Sequence, residues 1–150
     1  MSLVRLDLYL HPPGVDILRV SNIPVLKEFL LVNENQLVGS IPSELINNIN
    51  LRAIALQSNN ITSTIPTIFG ELDMLETINL FNNQIRGQIP TQLGNLVRLE
   101  NLFLHFNELT GTMPPEICAL RGFALQQLTA DCGPRGRVQC QQPECCTLCF

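Results

Sequence analysis

Three stretches of the sequence follow one pattern and decide the fold. They read LRAIALQSNNITSTIP at residues 51–66, LETINLFNNQIRGQIP at 75–90 and LENLFLHFNELTGTMP at 99–114. An Ile-Pro dipeptide, or a Met-Pro equivalent, recurs every 24 residues at Ile41-Pro42, Ile65-Pro66, Ile89-Pro90 and Met113-Pro114. A fixed period of this length indicates a repeat architecture, and it overrides any local prediction. Four units therefore share one frame, with place 1 at Lys27, Leu51, Leu75 and Leu99.

Each unit predicts a short strand followed by a turn. Places 4 and 6 are apolar and alternate with outward-facing neighbours, as in a strand that buries one face. A turn with Gly39, Gly87 or Gly111 and the Pro at place 16 cannot continue the strand. Apolar residues at places 11 and 19 then return to the interior. The four apolar places hold Leu30, Val32, Leu37 and Leu45; Ile54, Leu56, Ile61 and Phe69; Ile78, Leu80, Ile85 and Leu93; and Leu102, Leu104, Leu109 and Ile117.

These stretches resemble plant-type leucine-rich repeats, whose pattern is LxxLxLxxNxLxGxIP, and the resemblance covers residues 27–120. It implies an α/β solenoid, a right-handed superhelix with a parallel β-sheet on its concave face and 3₁₀ or irregular turns on its convex face. No coil of about 24 residues buries its own apolar set, so stacking on neighbouring coils supplies the core.

The two ends depart from the repeat. Residues 27–122 hold the four repeats, and counting back one period puts Leu6 at place 4 with no Gly-x-Ile-Pro turn after it. We interpret 1–26 as a degraded first repeat, with a truncated edge as the alternative, because members of this family usually begin with a Cys-containing cap. An uncapped edge favours self-association. Counting forward puts Leu128 at place 6, and 123–150 is predicted to be a final partial repeat with a Cys-rich C-terminal cap similar to those of algal leucine-rich repeat proteins.

An Asn recurs at place 9 of each unit and is predicted to be structural. Buried where strand becomes turn, an amide side chain can satisfy backbone N–H and C=O groups of its own coil and the next. The predicted ladder consists of Asn35, Asn59, Asn83 and Asn107.

All six cysteines lie at or beyond Cys118, at Cys118, Cys132, Cys140, Cys145, Cys146 and Cys149. An even number in a short segment of little apolar mass favours disulfides that stabilise a cap in an oxidising compartment. Fifteen pairings are possible. A structural zinc site using Cys140, Cys145 or Cys146, and Cys149 is the alternative, and a redox-active Cys146–Cys149 pair is a third hypothesis. The sequon at Asn60 is a candidate glycosylation site.

Aromatic residues gather at outward strand places of two adjacent units. Phe81, Phe103, His105 and Phe106 are predicted to share the exposed face of the sheet, and interfaces concentrate binding energy in such residues. Rings packed on one another or under the cap are the alternative. The sequence contains no Ser-His-Asp set, Gly-rich phosphate loop, HExxH or paired-carboxylate motif, so we predict that the protein is not an enzyme, and we expect no cofactor or metal.

Composition and charge exclude some classes of binding partner. The 150 residues carry 9 Lys and Arg against 13 Asp and Glu, a net charge of −4, which disfavours nucleic acid. We expect no membrane span and no signal peptide in this sequence. The preferred hypothesis is a non-catalytic recognition module for a protein, peptide or glycan, with a fragment of a receptor-like protein as one form of it. A structural or ice-adhering surface is the alternative, although its Thr array is interrupted. The cysteines favour an extracellular or cell-surface location, with the cytoplasm as the other option.

Overall fold

The described chain consists of short strands separated by tight turns. The computed structural model describes residues 4–5, 28–132, 137–142 and 144–150, the first of these as backbone only. The strands are β1 (Val4–Arg5), β2 (Phe29–Leu31), β3 (Val38–Gly39), β4 (Ala53–Ala55), β5 (Asn60–Ile61), β6 (Thr77–Asn79), β7 (Arg86–Gln88), β8 (Asn101–Phe103), β9 (Glu108–Thr112), β10 (Gln127–Ala130), β11 (Val138–Gln139) and β12 (Leu148–Cys149). The helices are the 3₁₀ helices η1 (Ser43–Asn47), η2 (Thr67–Glu71), η3 (Thr91–Asn95) and η4 (Leu120–Gly122), and the short α-helix α1 (Pro115–Ala119).

The main sheet is parallel throughout. Its strand order is β1-β2-β4-β6-β8-β10-β12, and each pair of neighbours runs in the same direction. Equivalent places of successive coils pair directly, as Ile54 does with Ile78 and Ile78 with Leu102. Parallel strands need a crossover between them. In the coils from β2 to β10, each crossover is a turn carrying a 3₁₀ helix, with α1 preceding η4 in the last of them. The predicted fold class, an α/β solenoid with a parallel sheet on one side and 3₁₀ turns on the other, is confirmed.

The core is a set of apolar columns that run through the stack. Leu56, Leu80 and Leu104, all at place 6, are fully buried one above the other. Phe69, at place 19, closes the same interior from the turn side. Burying a side chain of this kind contributes about 1.5–3 kcal/mol, and in a repeat stack this burial depends on the adjacent coils. Stability is therefore shared between neighbours.

Proline and glycine shape the turns opposite the main sheet. Pro66 and Pro90 precede η2 and η3 in extended conformation, with φ near their preferred value at −65° and −66°. In η2, Gly70 lies directly against the next coil, and a Cβ added there would come within 2.3 Å of the Gln92 carbonyl oxygen. Glycine at this place lets consecutive turns approach as closely as the paired strands do.

Two smaller parallel sheets, β3-β5 and β7-β9-β11, flank the turns. On β9, Thr110 and Thr112 are exposed, but Thr110 pairs with the exposed Gln88 of β7, and Thr112 pairs with the exposed Gln139 of β11. The threonine row is therefore interrupted in three dimensions, as it is in the sequence.

The step from β1 to β2 and the step from β8 to β10 are each two residues longer than the period predicts. Val4, rather than Leu6, pairs with Leu30. Leu128 pairs with Leu102 at place 4, not at place 6. Neither connecting segment contains Gly-x-Ile-Pro followed by a regular 3₁₀ turn: residues 6–27 lack the motif, and α1 with η4 replaces a single 3₁₀ turn before β10. Apart from the backbone of Val4 and Arg5, residues 1–27 lie outside the described part of the chain, and so does most of the edge on which self-association was predicted.

Among the residues that the structure describes, no helix has the length and apolar character needed to cross a membrane.

Candidate functional site

Parallel strand pairing brings residues 24 apart in sequence side by side on the exposed face of the main sheet. Phe81 and His105 both follow a strand at place 7, and their rings stack with centroids 5.0 Å apart and planes 4° from parallel. His105 also packs edge-on against Phe106, with centroids 4.9 Å apart and planes at 67°. These separations lie in the range in which aromatic pairs attract. The structure thus brings together three of the four residues predicted to form the exposed surface.

A fourth ring comes from the last residue described, Phe150. Its ring stacks on His105 at 4.3 Å and contacts Phe106 at 5.2 Å. The 24-residue period does not extend to this part of the chain, so sequence reasoning missed it. The pairing of β12 with β10, which joins Cys149 to Ala130, carries Phe150 to the His105 column. We call Phe81, His105, Phe106 and Phe150 the aromatic cluster.

The cluster is open to solvent on one side. Phe106 and Phe150 retain 54% and 46% exposure, whereas Phe81 and His105 are half-buried. Phe103 lies on β8, also half-buried, and it forms no ring pair with the cluster within the described part of the chain. The cluster therefore offers two exposed rings on a base of two partly covered ones.

The His105 ring is held in a fixed position. Its Nδ1 lies 2.6 Å from the hydroxyl oxygen of Thr129, a buried residue on β10. Burial lowers the pKa of His105 below its usual 6.5, and the nearby Asp131 carboxylate opposes this shift in part. The ring is therefore neutral at neutral pH, and it acts as an aromatic surface between two phenylalanines.

Phe106 adopts a backbone conformation that a bulky residue rarely takes. Place 8 has positive φ in every full repeat, with Glu34 at 56°, Ser58 at 58°, Asn82 at 55° and Phe106 at 56°. Small polar residues tolerate this left-handed region best, and an ordinary side chain there costs about 1–2 kcal/mol. The backbone of Phe106 is therefore strained, and strained backbone of this kind tends to occur at functional sites.

Asp131 fixes the turn that carries Phe106. Its carboxylate oxygens accept the backbone N–H groups of Phe106 at 2.8 Å and Asn107 at 3.0 Å. In the preceding coil, the equivalent N–H groups of Asn82 and Asn83 donate to the carbonyls of His105 and Phe106. A side chain therefore replaces two carbonyls of a following coil. By the count that puts Leu128 at place 6, Asp131 falls at place 9, the place of the asparagines, and this count does not reveal the contact.

The place-9 asparagines connect each coil to its neighbours. Asn83 is 9% exposed, its Oδ1 accepts the N–H of Ile61 at 3.1 Å, and its Nδ2 donates to the Leu56 and Leu80 carbonyls at 3.0 and 3.2 Å. Asn59 and Asn107 repeat the arrangement, accepting the N–H groups of Leu37 and Ile85. Asn35, in the first described coil, donates to the Val32 and Asn33 carbonyls of its own coil.

All six cysteines are paired in disulfides. The bonds are Cys118–Cys145, Cys132–Cys149 and Cys140–Cys146. The first joins α1 to the C-terminal segment, and the second joins the end of β10 to β12. The adjacent cysteines 145 and 146 thus have separate partners. These bonds fit a cap that closes the solenoid, and they hold Phe150 over His105.

A charged edge lies away from the aromatic cluster. The Arg52 guanidinium forms an ion pair with Glu76 and donates hydrogen bonds to its carboxylate. The Glu76 carboxylate, through its hydrogen bond and charge, raises the pKa of Arg52, and Glu28 and Glu100 add to this effect. Exposed pairs of this kind contribute little to stability.

Comparison with known proteins identifies the architecture. A leucine rich repeat family model matches residues 49–109. The plant peptide hormone receptor RGFR1, solved in complex with RGF2, has a TM-score of 0.66 and 35% identity over 69% of this chain and 16% of that chain. No curated protein sequence matches.

Two Arabidopsis structures are similar. A chain of the Arabidopsis thaliana BIR3–SERK2 complex has a TM-score of 0.60 and 33% identity over 74% of this chain and 60% of that chain. The ectodomain of the Arabidopsis receptor kinase HAESA, in complex with an extended IDA peptide hormone ligand, has a TM-score of 0.61 and 33% identity over 69% of this chain and 17% of that chain. This chain spans less than two thirds of each of these proteins.

The repeat pattern, the parallel sheet and these similarities agree with one another. The Asn contacts between coils and the disulfide-bonded C-terminal segment belong to the same architecture. The chain is a leucine-rich repeat protein with repeats of the plant type.

Proposed function

We propose that the chain is a non-catalytic recognition module that binds an extended peptide segment of another protein on the exposed face of its main sheet. The aromatic cluster is the anchor of this surface, with Phe103 beside it. The observation that carries the proposal is Phe106, which is 54% exposed and strained at positive φ. A fold that needed only a turn at this place would place a residue such as Asn there, as it does at Asn82.

The arrangement of the rings suits an apolar side chain of a ligand. Phe106 and Phe150 meet at 5.2 Å with their planes inclined at 59°, which leaves ring faces and edges open to a partner. Energetic anchors in interfaces are enriched in aromatic residues surrounded by contacts that exclude water. One of the similar structures is a peptide hormone receptor in complex with RGF2, and another is a receptor ectodomain in complex with an IDA peptide hormone. These complexes support a peptide as the class of ligand here.

The disulfides support an extracellular or cell-surface location for this module. Disulfides persist in oxidising compartments and are rare in the cytosol. The similar structures include receptor ectodomains, and a part of a receptor-like protein is the form of the proposal that fits them.

A displayed library of random peptides tests this function. We expect the selected peptides to share aromatic or aliphatic positions, and to bind Phe106→Asn more weakly by about tenfold or more, as loss of an interface anchor does. Asn is compatible with the backbone at this place, so the fold is retained. Phe123→Asn is the matched control, because Phe123 is 75% exposed and lies outside the cluster. Equal affinity of the selected peptides for the wild type and for Phe106→Asn would overturn the proposed surface.

A further inference from the structure

The C-terminal cap contains a pair of cysteines with metal-chelating spacing whose sulfurs belong to different disulfides. Cys146 and Cys149 form a Cys-x-x-Cys pair, but Cys146 is bonded to Cys140 and Cys149 to Cys132. Cys-x-x-Cys supplies two thiolates to one tetrahedral ion in structural zinc sites. From the sequence, Cys140 is a third candidate ligand beside this pair, and a fourth is not assigned. In the structure, the two disulfide partners lie where those ligands would be.

The four sulfur atoms are already close enough to share one ion. The Sγ atoms of Cys132, Cys140, Cys146 and Cys149 all lie within 4.8 Å of one another. Around a tetrahedral zinc ion with Zn–S bonds of about 2.3 Å, sulfurs are separated by about 3.8 Å. To form the site, the two sulfurs of each disulfide must move apart, and the sulfurs that are not bonded to each other must move closer. These side-chain movements are about 1–2 Å, on the order of a rotamer adjustment.

Backbone hydrogen bonds hold the segments that carry these sulfurs, independently of the disulfides. The N–H groups of Thr147 and Phe150 donate to the carbonyls of Leu128 and Ala130 at 2.7 and 3.1 Å. These contacts keep β12 beside β10, next to Cys132. The N–H of Met113 donates to the Gln139 carbonyl at 2.9 Å and holds the residue before Cys140. Reduction of the disulfides leaves all of these contacts available.

We propose that the reduced cap binds a single zinc ion through Cys132, Cys140, Cys146 and Cys149, so that the same four sulfurs form either two disulfides or one tetrathiolate site. Two equivalents of a dithiol reductant transfer four electrons and four protons, which break both S–S bonds to give four thiols and leave two oxidised dithiols. Binding of Zn²⁺ then releases the four thiol protons to solvent. Cys149 is exposed, which gives the reductant access to its bond with Cys132. The buried Cys118–Cys145 pair takes no part in the site.

Zinc and cobalt binding to the whole chain test the proposal. The protein is reduced under anaerobic conditions, loaded with zinc chloride and desalted, and its bound zinc is measured by mass spectrometry of the metal. We expect a single zinc ion per reduced chain and none in the oxidised chain. With cobalt chloride, we expect the intense visible bands of a tetrahedral thiolate site. Substoichiometric zinc, or a cobalt spectrum of octahedral type, would overturn the proposal.

Two double variants separate this site from nonspecific thiol binding. Cys118→Ser with Cys145→Ser removes two thiols outside the site, and we expect its zinc affinity to match that of the wild type. Cys132→Ser with Cys140→Ser removes two ligands and leaves Cys146 and Cys149. We expect its affinity to fall by more than about 100-fold, beyond the cost of losing an outer-shell partner. Equal affinity in the two variants would contradict the proposal. Far-UV circular dichroism shows whether the repeats stay folded after reduction. A reduced chain that unfolds and fails to bind zinc would also count against the proposal, because the strand pairing is required to hold the sulfurs together.

Discussion

Replacing Asn83 by Ala tests how the place-9 asparagines stabilise the stack. The side chain makes one contact as an acceptor, from the Ile61 N–H at 3.1 Å, and it donates to the carbonyls of Leu56, Leu80 and Phe81. A simple sum over these four contacts would predict a very large loss. The contacts are not equivalent, however, because several of the carbonyls have a second donor.

The magnitude follows from the groups that are left without a partner. The Leu56 carbonyl keeps the amide of Asn59, and the Leu80 carbonyl keeps the amide of Asn107. The Phe81 carbonyl keeps the N–H of Ser58. Only the buried Ile61 N–H loses its partner, and an orphaned buried donor costs about 1–3 kcal/mol.

Equilibrium unfolding in urea, followed by circular dichroism, measures this cost. The control is Gln84→Ala, at the adjacent exposed position, where we expect a change within about 0.5 kcal/mol. A loss for Asn83→Ala no larger than that of the control would refute the reasoning, and a loss far above about 3 kcal/mol would show that the shared carbonyls do not retain their second donors.

Three further outcomes are expected. Gly94→Ala should lower the free energy of unfolding by about 1–3 kcal/mol, because the new Cβ would lie 2.4 Å from the Glu116 Cβ; Gly122→Ala, with open space around it, should have little effect in the same urea titration. The pKa of His105 is lowered in the folded state, so the unfolded chain binds more protons and stability should fall as the pH drops through 6.5. This loss should be absent from the pH profile of stability of His105→Gln, and a profile in that variant equal to that of the wild type would contradict the assignment. Expression through a eukaryotic secretory pathway should add a glycan at the exposed Asn60, seen as a mass increase that Asn60→Gln abolishes; equal masses for the two proteins would exclude this site.

The sequence predicted the central coils well because one contact pattern recurs there. Each apolar place has the same neighbours one period before and after it, so alignment alone placed Leu56, Leu80 and Leu104 in one buried column. The parallel pairing of Ile78 with Leu102 follows from the same period. Local preference, hydrophobic pattern and turn residues all agree in these coils.

The end of the solenoid could not be predicted in the same way, because its structure depends on contacts that do not repeat. Counting by 24 residues placed Leu128 two positions away from its observed register with Leu102. It also could not bring Phe150 to His105, since that contact depends on the pairing of β12 with β10. The disulfide pairing was open for a similar reason: sequence spacing does not determine which of six sulfurs lie close together.

The aspartate that caps the last full coil also determines where the array can change in length. Because Asp131 supplies the acceptors that carbonyls provide between full coils, a further 24-residue unit inserted before β10 would have to supply those acceptors from its own backbone. Whole 24-residue repeats can instead be duplicated or deleted upstream, because the contacts between successive repeats are equivalent there. The contacts of His105 with Phe106 and Phe150 would survive such changes, because all three residues belong to the last full coil and the segment after it. Array length and recognition surface can therefore evolve separately in this protein.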